Sequence, residues 1–159
     1  MPISGKEMLK RFLEKMMFYQ FKIHKENKGY WAECVELDGC STQADTMDKL
    51  VRNMENVLNL FLAEPEKSNH IFPLPKKTSK ITGKNIVQVQ VHPSVAFSML
   101  IRQTRIKAGL TLREMADILN YKNINSYVKL EKAETANPQL KTLANIKAHF
   151  SDFPVALLF

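Results

Sequence analysis

The apolar positions of this chain change period several times, and each change marks an element. Ile3, Met8, Leu9, Phe12, Leu13 and Met16 recur at helical spacing, and Ser4 with Glu7 has the capping-box pattern. Residues 3–16 therefore read as a short amphipathic helix. Residues 18–24 alternate instead, with Tyr19, Phe21 and Ile23 on one side and Gln20, Lys22 and His24 on the other. Lys25 to Gly29 is a turn and Tyr30 to Leu37 a second β-rich stretch, so the pair predicts a hairpin. Asp38-Gly39 makes another tight turn, and Cys40 to Gln43 forms a short third strand. Asp45 opens a helix to about Ala63, with one apolar stripe of Met47, Leu50, Val51, Met54, Val57, Leu58, Phe61 and Leu62. Residues 64–84 hold three prolines, a glycine and a lysine cluster, which is loop composition. Asn85 to His92 is β-like, and Pro93 ends it. The order ββ(β)αβ predicts a small antiparallel sheet with a helix on one face, and everything behind Pro93 reads as helical.

Within the helical half, Leu110 to Leu119 and then Asn123 to Lys132 predict two short helices joined by a tight polar turn. Gly109 permits the left-handed cap that stops the preceding helix. Thr111 with Glu114 is a second capping box. Ala116 is small where two helices must touch, and Asn120 stands at a turn position that asks for positive φ. Together these are the spacings of a helix-turn-helix, a device that lays one helix in the major groove of DNA.

Charge sharpens that division. The net charge is +7. Residues 1–63 are neutral, with nine basic and nine acidic side chains, whereas residues 76–84 carry four lysines and no acid. Residues 85–159 carry nine basic and five acidic side chains. A basic back half beside a neutral front half suits a polyanion-binding module fused to something else, and a plain solvated basic surface is the alternative. At 45% apolar and 25% charged residues the composition is that of an ordinary globular chain. No apolar run is long enough to span a bilayer and the opening residues lack a signal-peptide pattern, so a cytoplasmic location and no membrane partner are expected. Cys34 and Cys40 are the only cysteines, expected as free thiols in a reducing compartment; without a matching His pair no zinc site is expected.

Three resemblances follow from these residues. Gly29-Tyr30-Trp31-Ala32-Glu33-Cys34-Val35-Glu36-Leu37-Asp38-Gly39-Cys40, then Ser41 to Ala44 and the long helix, resembles the HicB antitoxin family over residues 17–92. The resemblance implies a partial ribonuclease-H-like fold without nuclease activity, which covers the active site of a small ribonuclease toxin, HicA. Residues 2–15 resemble the opening helix of HicA itself, without the Gly-Ser-His motif that carries the toxin's active histidine; an ordinary N-terminal helix is the other reading. Residues 97–150 resemble the Xre, or phage-repressor, helix-turn-helix domain, with Asn137-Pro138 and Leu140, Leu143 and Ile146 matching its fourth helix. That resemblance implies a buried ion pair between Arg105 and Glu131, and dimers that bind two half-sites. Two departures stand out. The segment from Leu119 to Glu131 is one residue longer than the usual pattern, and Ala133 replaces the expected glycine.

Position assigns roles within this frame. Asn123, Asn125, Ser126 and Lys129 would meet base edges, while Tyr127 and Leu130 face inward. Thr111 and Arg113 would grip phosphates, with Lys122 and the linker lysines adding backbone contacts. For Lys122 and Lys129 a plain exposed lysine is an equal alternative. In the front half Trp31, Glu33, Glu36 and Asp38 are the candidates for a basic toxin, and a solvated acidic rim is the competing reading. Glu33 lies on the strand face opposite Glu36, Asp38 is a turn residue, and Asp45 and Asp48 are helix starters. Turn and cap roles are therefore favoured over metal-dependent catalysis. His24, His70, His92 and His149 are read as structural or surface residues, and the apolar tail Val155 to Phe159 as buried.

The expected architecture is thus α+β. A helix at 1–16 precedes a partial ribonuclease-H-like ββ(β)αβ domain at 17–92, including the basic loop 64–84. An all-α helix-turn-helix domain follows at 93–159. The expected function is an antitoxin that masks a HicA-type mRNA-cleaving toxin and represses its own operon, as a homodimer or higher even oligomer on double-stranded operator DNA. It is expected to have no catalytic residue, metal or cofactor. Two alternatives remain: a stand-alone Xre-type regulator whose front domain oligomerises or senses a ligand, and a metal-dependent nuclease.

Overall fold

A computed structural model describes Ser4 and residues 17–63, 68–75 and 83–158. The helix expected at 3–16, the lysines at 76, 77 and 80 and the terminal Phe159 lie outside the described residues. What is described is an α+β chain with one four-stranded antiparallel sheet and five α-helices.

The strands are β1 (Phe18–Lys25), β2 (Tyr30–Cys34), β3 (Ser41–Ala44) and β4 (Ile86–Gln90), in the spatial order β3-β2-β1-β4. The β1–β2 hairpin closes through Glu26 N–H donating to the Gly29 carbonyl at 3.1 Å. Gly29 sits at φ +99°, and a Cβ there would lie 2.6 Å from the Ala44 carbonyl oxygen. Conformation and space both require glycine at this turn. Alternation gives the sheet a buried face with Tyr19, Phe21, Ala32 and Cys34. The buried Tyr19 hydroxyl is satisfied by the Pro73 carbonyl at 2.9 Å, and burial raises its pKa well above the ordinary phenol value.

Helix α1 (Met47–Leu62) buries Leu50, Met54, Leu58 and Leu62, a strict i, i+4 row. Its Asn53 amide donates to the Gln43 carbonyl at 3.0 Å, tying the helix to β3. The apolar stripe expected on this helix is wider than the buried one. Val51 is 52% exposed and Met47 is exposed as well. Expected strand limits also move, and the third strand lies at Ser41–Ala44 rather than 40–43. The second strand stops at Cys34 rather than Leu37, because the chain turns back there: Cys34 N–H donates to the Cys40 carbonyl at 2.8 Å, and Gly39 takes φ +82°. The fourth runs over Ile86–Gln90 rather than 85–92.

The chain divides into two units, one holding residues 17–61 and 72–91, the other 62–71 and 92–158. The second contains helices α2 (Pro93–Lys107), α3 (Leu112–Ile118), α4 (Ile124–Val128) and α5 (Leu140–His149), then a 3-10 turn at Val155–Leu157. Pro93 begins α2, where its missing N–H costs nothing. At the other end Gly109, φ +68°, donates to the Ile106 carbonyl while Leu110 N–H donates to that of Arg105. This is a Schellman stop. Phe97 meets Phe153 edge-on at 6.3 Å between ring centres. Leu143 and Ile146 are buried on α5, but Leu140, expected on the same stripe, is 80% exposed because it opens the helix at its solvent edge. Of the apolar tail, Leu158 is buried while Ala156 is exposed.

Candidate nucleic-acid interface

Helices α3 and α4 make the candidate interface, and local chemistry sets where each begins and ends. At the start of α3 the Thr111 hydroxyl accepts from Glu114 N–H at 3.2 Å, and Thr111 N–H donates to the Glu114 carboxylate at 2.8 Å. These donors hold the Glu114 carboxyl below the usual carboxylate range. At its end Asn120 adopts φ +60°. Asn120 N–H then donates to the Asp117 carbonyl at 3.1 Å and Tyr121 N–H to that of Ala116 at 2.8 Å. Asparagine thereby supplies the left-handed stop that glycine supplies at the end of α2. Helix α4 starts at Asn123, whose side-chain oxygen accepts from Asn125 N–H at 2.8 Å. Met115 and Ala116 are fully buried, so the two helices approach over a small side chain. Asn145 of α5 donates to the Leu119 carbonyl at 3.1 Å and braces the turn.

Behind α4 lies a buried polar knot. Arg105 Nε donates to Glu131 Oε1 at 2.6 Å and Nη2 to Oε2 at 3.0 Å, a bidentate pair. Arg105 Nη1 also donates to the Leu110 carbonyl at 3.0 Å, and the Tyr127 hydroxyl donates to Glu131 Oε1. The bonds to Glu131 raise the Arg105 pKa further, and burial followed by the charge of Glu131 raises that of Tyr127. The knot joins the end of α2 to the chain leaving α4, and so fixes the angle at which α4 is presented.

The candidate DNA-facing residues divide by how free their side chains are. Lys122, Asn125, Ser126 and Lys129 are exposed, while Tyr127 of α4 and Leu130 just beyond it are buried. Asn123 is exposed, but its oxygen is engaged in capping and only its amide nitrogen remains to read a base. Thr111 is also exposed, yet its hydroxyl donates to Glu114 Oε2 at 2.9 Å, so a phosphate there competes with a carboxylate. Arg113 lies 3.5 Å from Asp117, an exposed pair that is easily exchanged for a phosphate. Lys129 closes α4 at its C-terminal end, and its carbonyl accepts from the Thr135 hydroxyl at 2.7 Å.

The front-unit candidates do not form one acidic rim. Trp31 and Glu33 share the sheet face that α1 does not cover, opposite His24 and Lys22 in the register. His24 stacks on Trp31 at 4.0 Å and 10°, and its Nε2 lies 3.0 Å from Glu33 Oε1. Glu36 turns the other way. Its carboxylate accepts from Gln20 N–H at 2.9 Å and from the Cys34 thiol at 3.6 Å, so it works as a clasp on the loop. Asp38 is exposed at the tip. Glu33 and Glu36 thus turn to opposite sides, as their spacing predicts, and no single rim holds both. The residue overlooked by sequence reasoning is His24, and the signal that could have found it was its place opposite Trp31 across the hairpin. Among the described residues no three His, Cys, Asp or Glu side chains come together in a group that could hold a metal ion. Nor is any helix among them long and apolar enough to cross a membrane.

No protein-family model matches the chain, and no curated protein matches it either.

Proposed function

We propose that this chain is the antitoxin of a type II toxin–antitoxin pair, with a HicB-like front unit and an Xre-like back unit. The back unit binds operator DNA as a homodimer in the cytoplasm and represses its own operon. The front unit, read as a partial ribonuclease-H-like fold, masks a small basic mRNA-cleaving toxin of the HicA type. One observation carries the reading: a capped α3–α4 pair, braced by the Arg105–Glu131 knot, presents Lys122, Asn125, Ser126 and Lys129 on its free side. Lysine and asparagine side chains on a helix entering the major groove read guanine and adenine edges. The His24–Trp31–Glu33 group offers the toxin an aromatic surface edged by an acid.

The test has two arms. A mobility shift on the DNA upstream of the gene is expected to show binding that weakens steeply with salt. Lys129→Ala is expected to reduce affinity by about 1–3 kcal/mol and to relax preference at one base position. Co-expression with the neighbouring toxin gene is expected to restore growth and to yield a complex. Absence of DNA binding at low salt removes the repressor half. DNA binding without toxin capture leaves a stand-alone regulator. RNA or DNA cleavage that needs a divalent metal and is lost on replacing Glu36 and Asp38 would make it a nuclease.

A further inference from the structure

Cys34 is the last residue of β2, and Cys40 stands just before β3. The register pairs Glu33 with Ser41, so the next pair along the ladder is Cys34 with Cys40. The backbone bond between them, 2.8 Å from Cys34 nitrogen to Cys40 oxygen, continues that ladder. Both side chains therefore leave the same, buried face, at 7% and 1% exposure. Directly opposed residues of antiparallel strands have Cα atoms about 4.5–5.5 Å apart. A disulfide spans roughly 4.4–6.8 Å. Both sulfurs are free thiols, and closing a bond between them asks for no change of register.

The surroundings make the two sulfurs unequal. The neighbouring Cys40 sulfur, and after it burial, raise the Cys34 pKa strongly. The Cys34 thiol beside it lowers that of Cys40. Cys40 is thus the sulfur that more readily becomes thiolate, the nucleophilic form. Cys34 keeps its proton 3.6 Å from Glu36 Oε2, a carboxylate placed to receive it. Gly39, the neighbour of Cys40 in the loop, is exposed, and nothing lies within 4 Å of the place a side chain would take there.

We propose that Cys34 and Cys40 form an oxidative modification site, closed to an intrachain disulfide by a hydroperoxide such as hydrogen peroxide. The Cys40 thiolate attacks one peroxide oxygen and the O–O bond breaks. Cys40 becomes a sulfenic acid, and the departing hydroxide takes up a proton as water. Cys34 then passes its proton to Glu36 and attacks the Cys40 sulfur. The S–O bond breaks as the S–S bond forms, and the second hydroxide leaves as water with the proton from Glu36. Two thiols and one peroxide thus give one disulfide and two waters. The closed ring pins the loop from Val35 to Gly39 and removes the thiol donor from Glu36. This site needs neither toxin nor DNA, so it stands or falls separately from the antitoxin reading.

The experiment uses the full reduced chain. It is treated with hydrogen peroxide, remaining thiols are capped with iodoacetamide, and the chain is cut after Glu36, between the cysteines, without reductant. The expected product is a peptide ending at Glu36 joined through Cys34 to the peptide that holds Cys40, reversible with dithiothreitol. Cys34→Ser is expected to leave Cys40 as a sulfenic acid that dimedone traps. Glu36→Gln is expected to slow closure about tenfold or more. Both thiols still capped after excess peroxide, a bond between two chains, or dimedone on Cys34 in the Cys40→Ser chain would each overturn the proposal.

Discussion

Two acid–base pairs join distant parts of their units, and they occupy opposite environments. In the helical unit Arg105 and Glu131 meet with side chains 9% and 6% exposed. In the sheet unit His24 and Glu33 meet at 27% and 47%. The inner pair is bidentate, shared with Tyr127, and holds together the elements that present α4. The outer pair lies on an open sheet face, where water competes for both partners. The same chemistry is thus a frame in one unit and a surface in the other.

The sharpest way to break this comparison is Glu131→Ala. It leaves the Arg105 guanidinium buried without its carboxylate, and the expected loss is about 3–5 kcal/mol in urea unfolding. Replacing the knot as a whole, with Arg105→Met, Tyr127→Phe and Glu131→Leu, is expected to recover most of that loss. A loss below about 1 kcal/mol for the single variant would make the inner pair no more structural than the outer one.

A third carboxylate, Glu114, grades between the two, being exposed yet tied to backbone N–H and hydroxyl. Thr111→Ala is expected to cost about 1 kcal/mol by removing the cap. Because the folded Glu114 pKa is depressed from 4.5, its contribution is present above the unfolded carboxylate value and is lost as pH falls through the lower folded one. An NMR titration of Glu114 checks this, and a midpoint at the ordinary value would sink it. The smallest effect is expected for His24→Ala, within about 0.5 kcal/mol of the parent. At a pH where His24 is protonated, raising salt to about 1 M is expected to weaken the outer pair while the inner one persists.

The two units also differ in how legible they were. The stops at Gly109 and Asn120 and the capping box at Thr111 are written in residues a few positions apart, so their physics is local. The same is true of the buried row on α1. What escaped depended on partners far along the chain. Val35 and Leu37 continue an apolar alternation, yet β2 ends at Cys34 because Cys40 meets it there. Met47 and Val51 belong to the stripe of α1 but are exposed. The stack of His24 on Trp31 follows from strand register, which hydropathy does not encode. Leu140 stayed hidden for the opposite reason: its spacing fits a core position, and only the tertiary packing leaves it in solvent.

Trp31 is the chain's single tryptophan, and an imidazole lies flat against it. The molecule therefore carries its own optical probe. Indole emission responds to an adjacent imidazole and to the polarity of its surroundings, so anything that settles on this sheet face or parts the two rings changes the signal. Arrival of a partner can be timed on the unlabelled protein, without a dye to disturb the surface being watched.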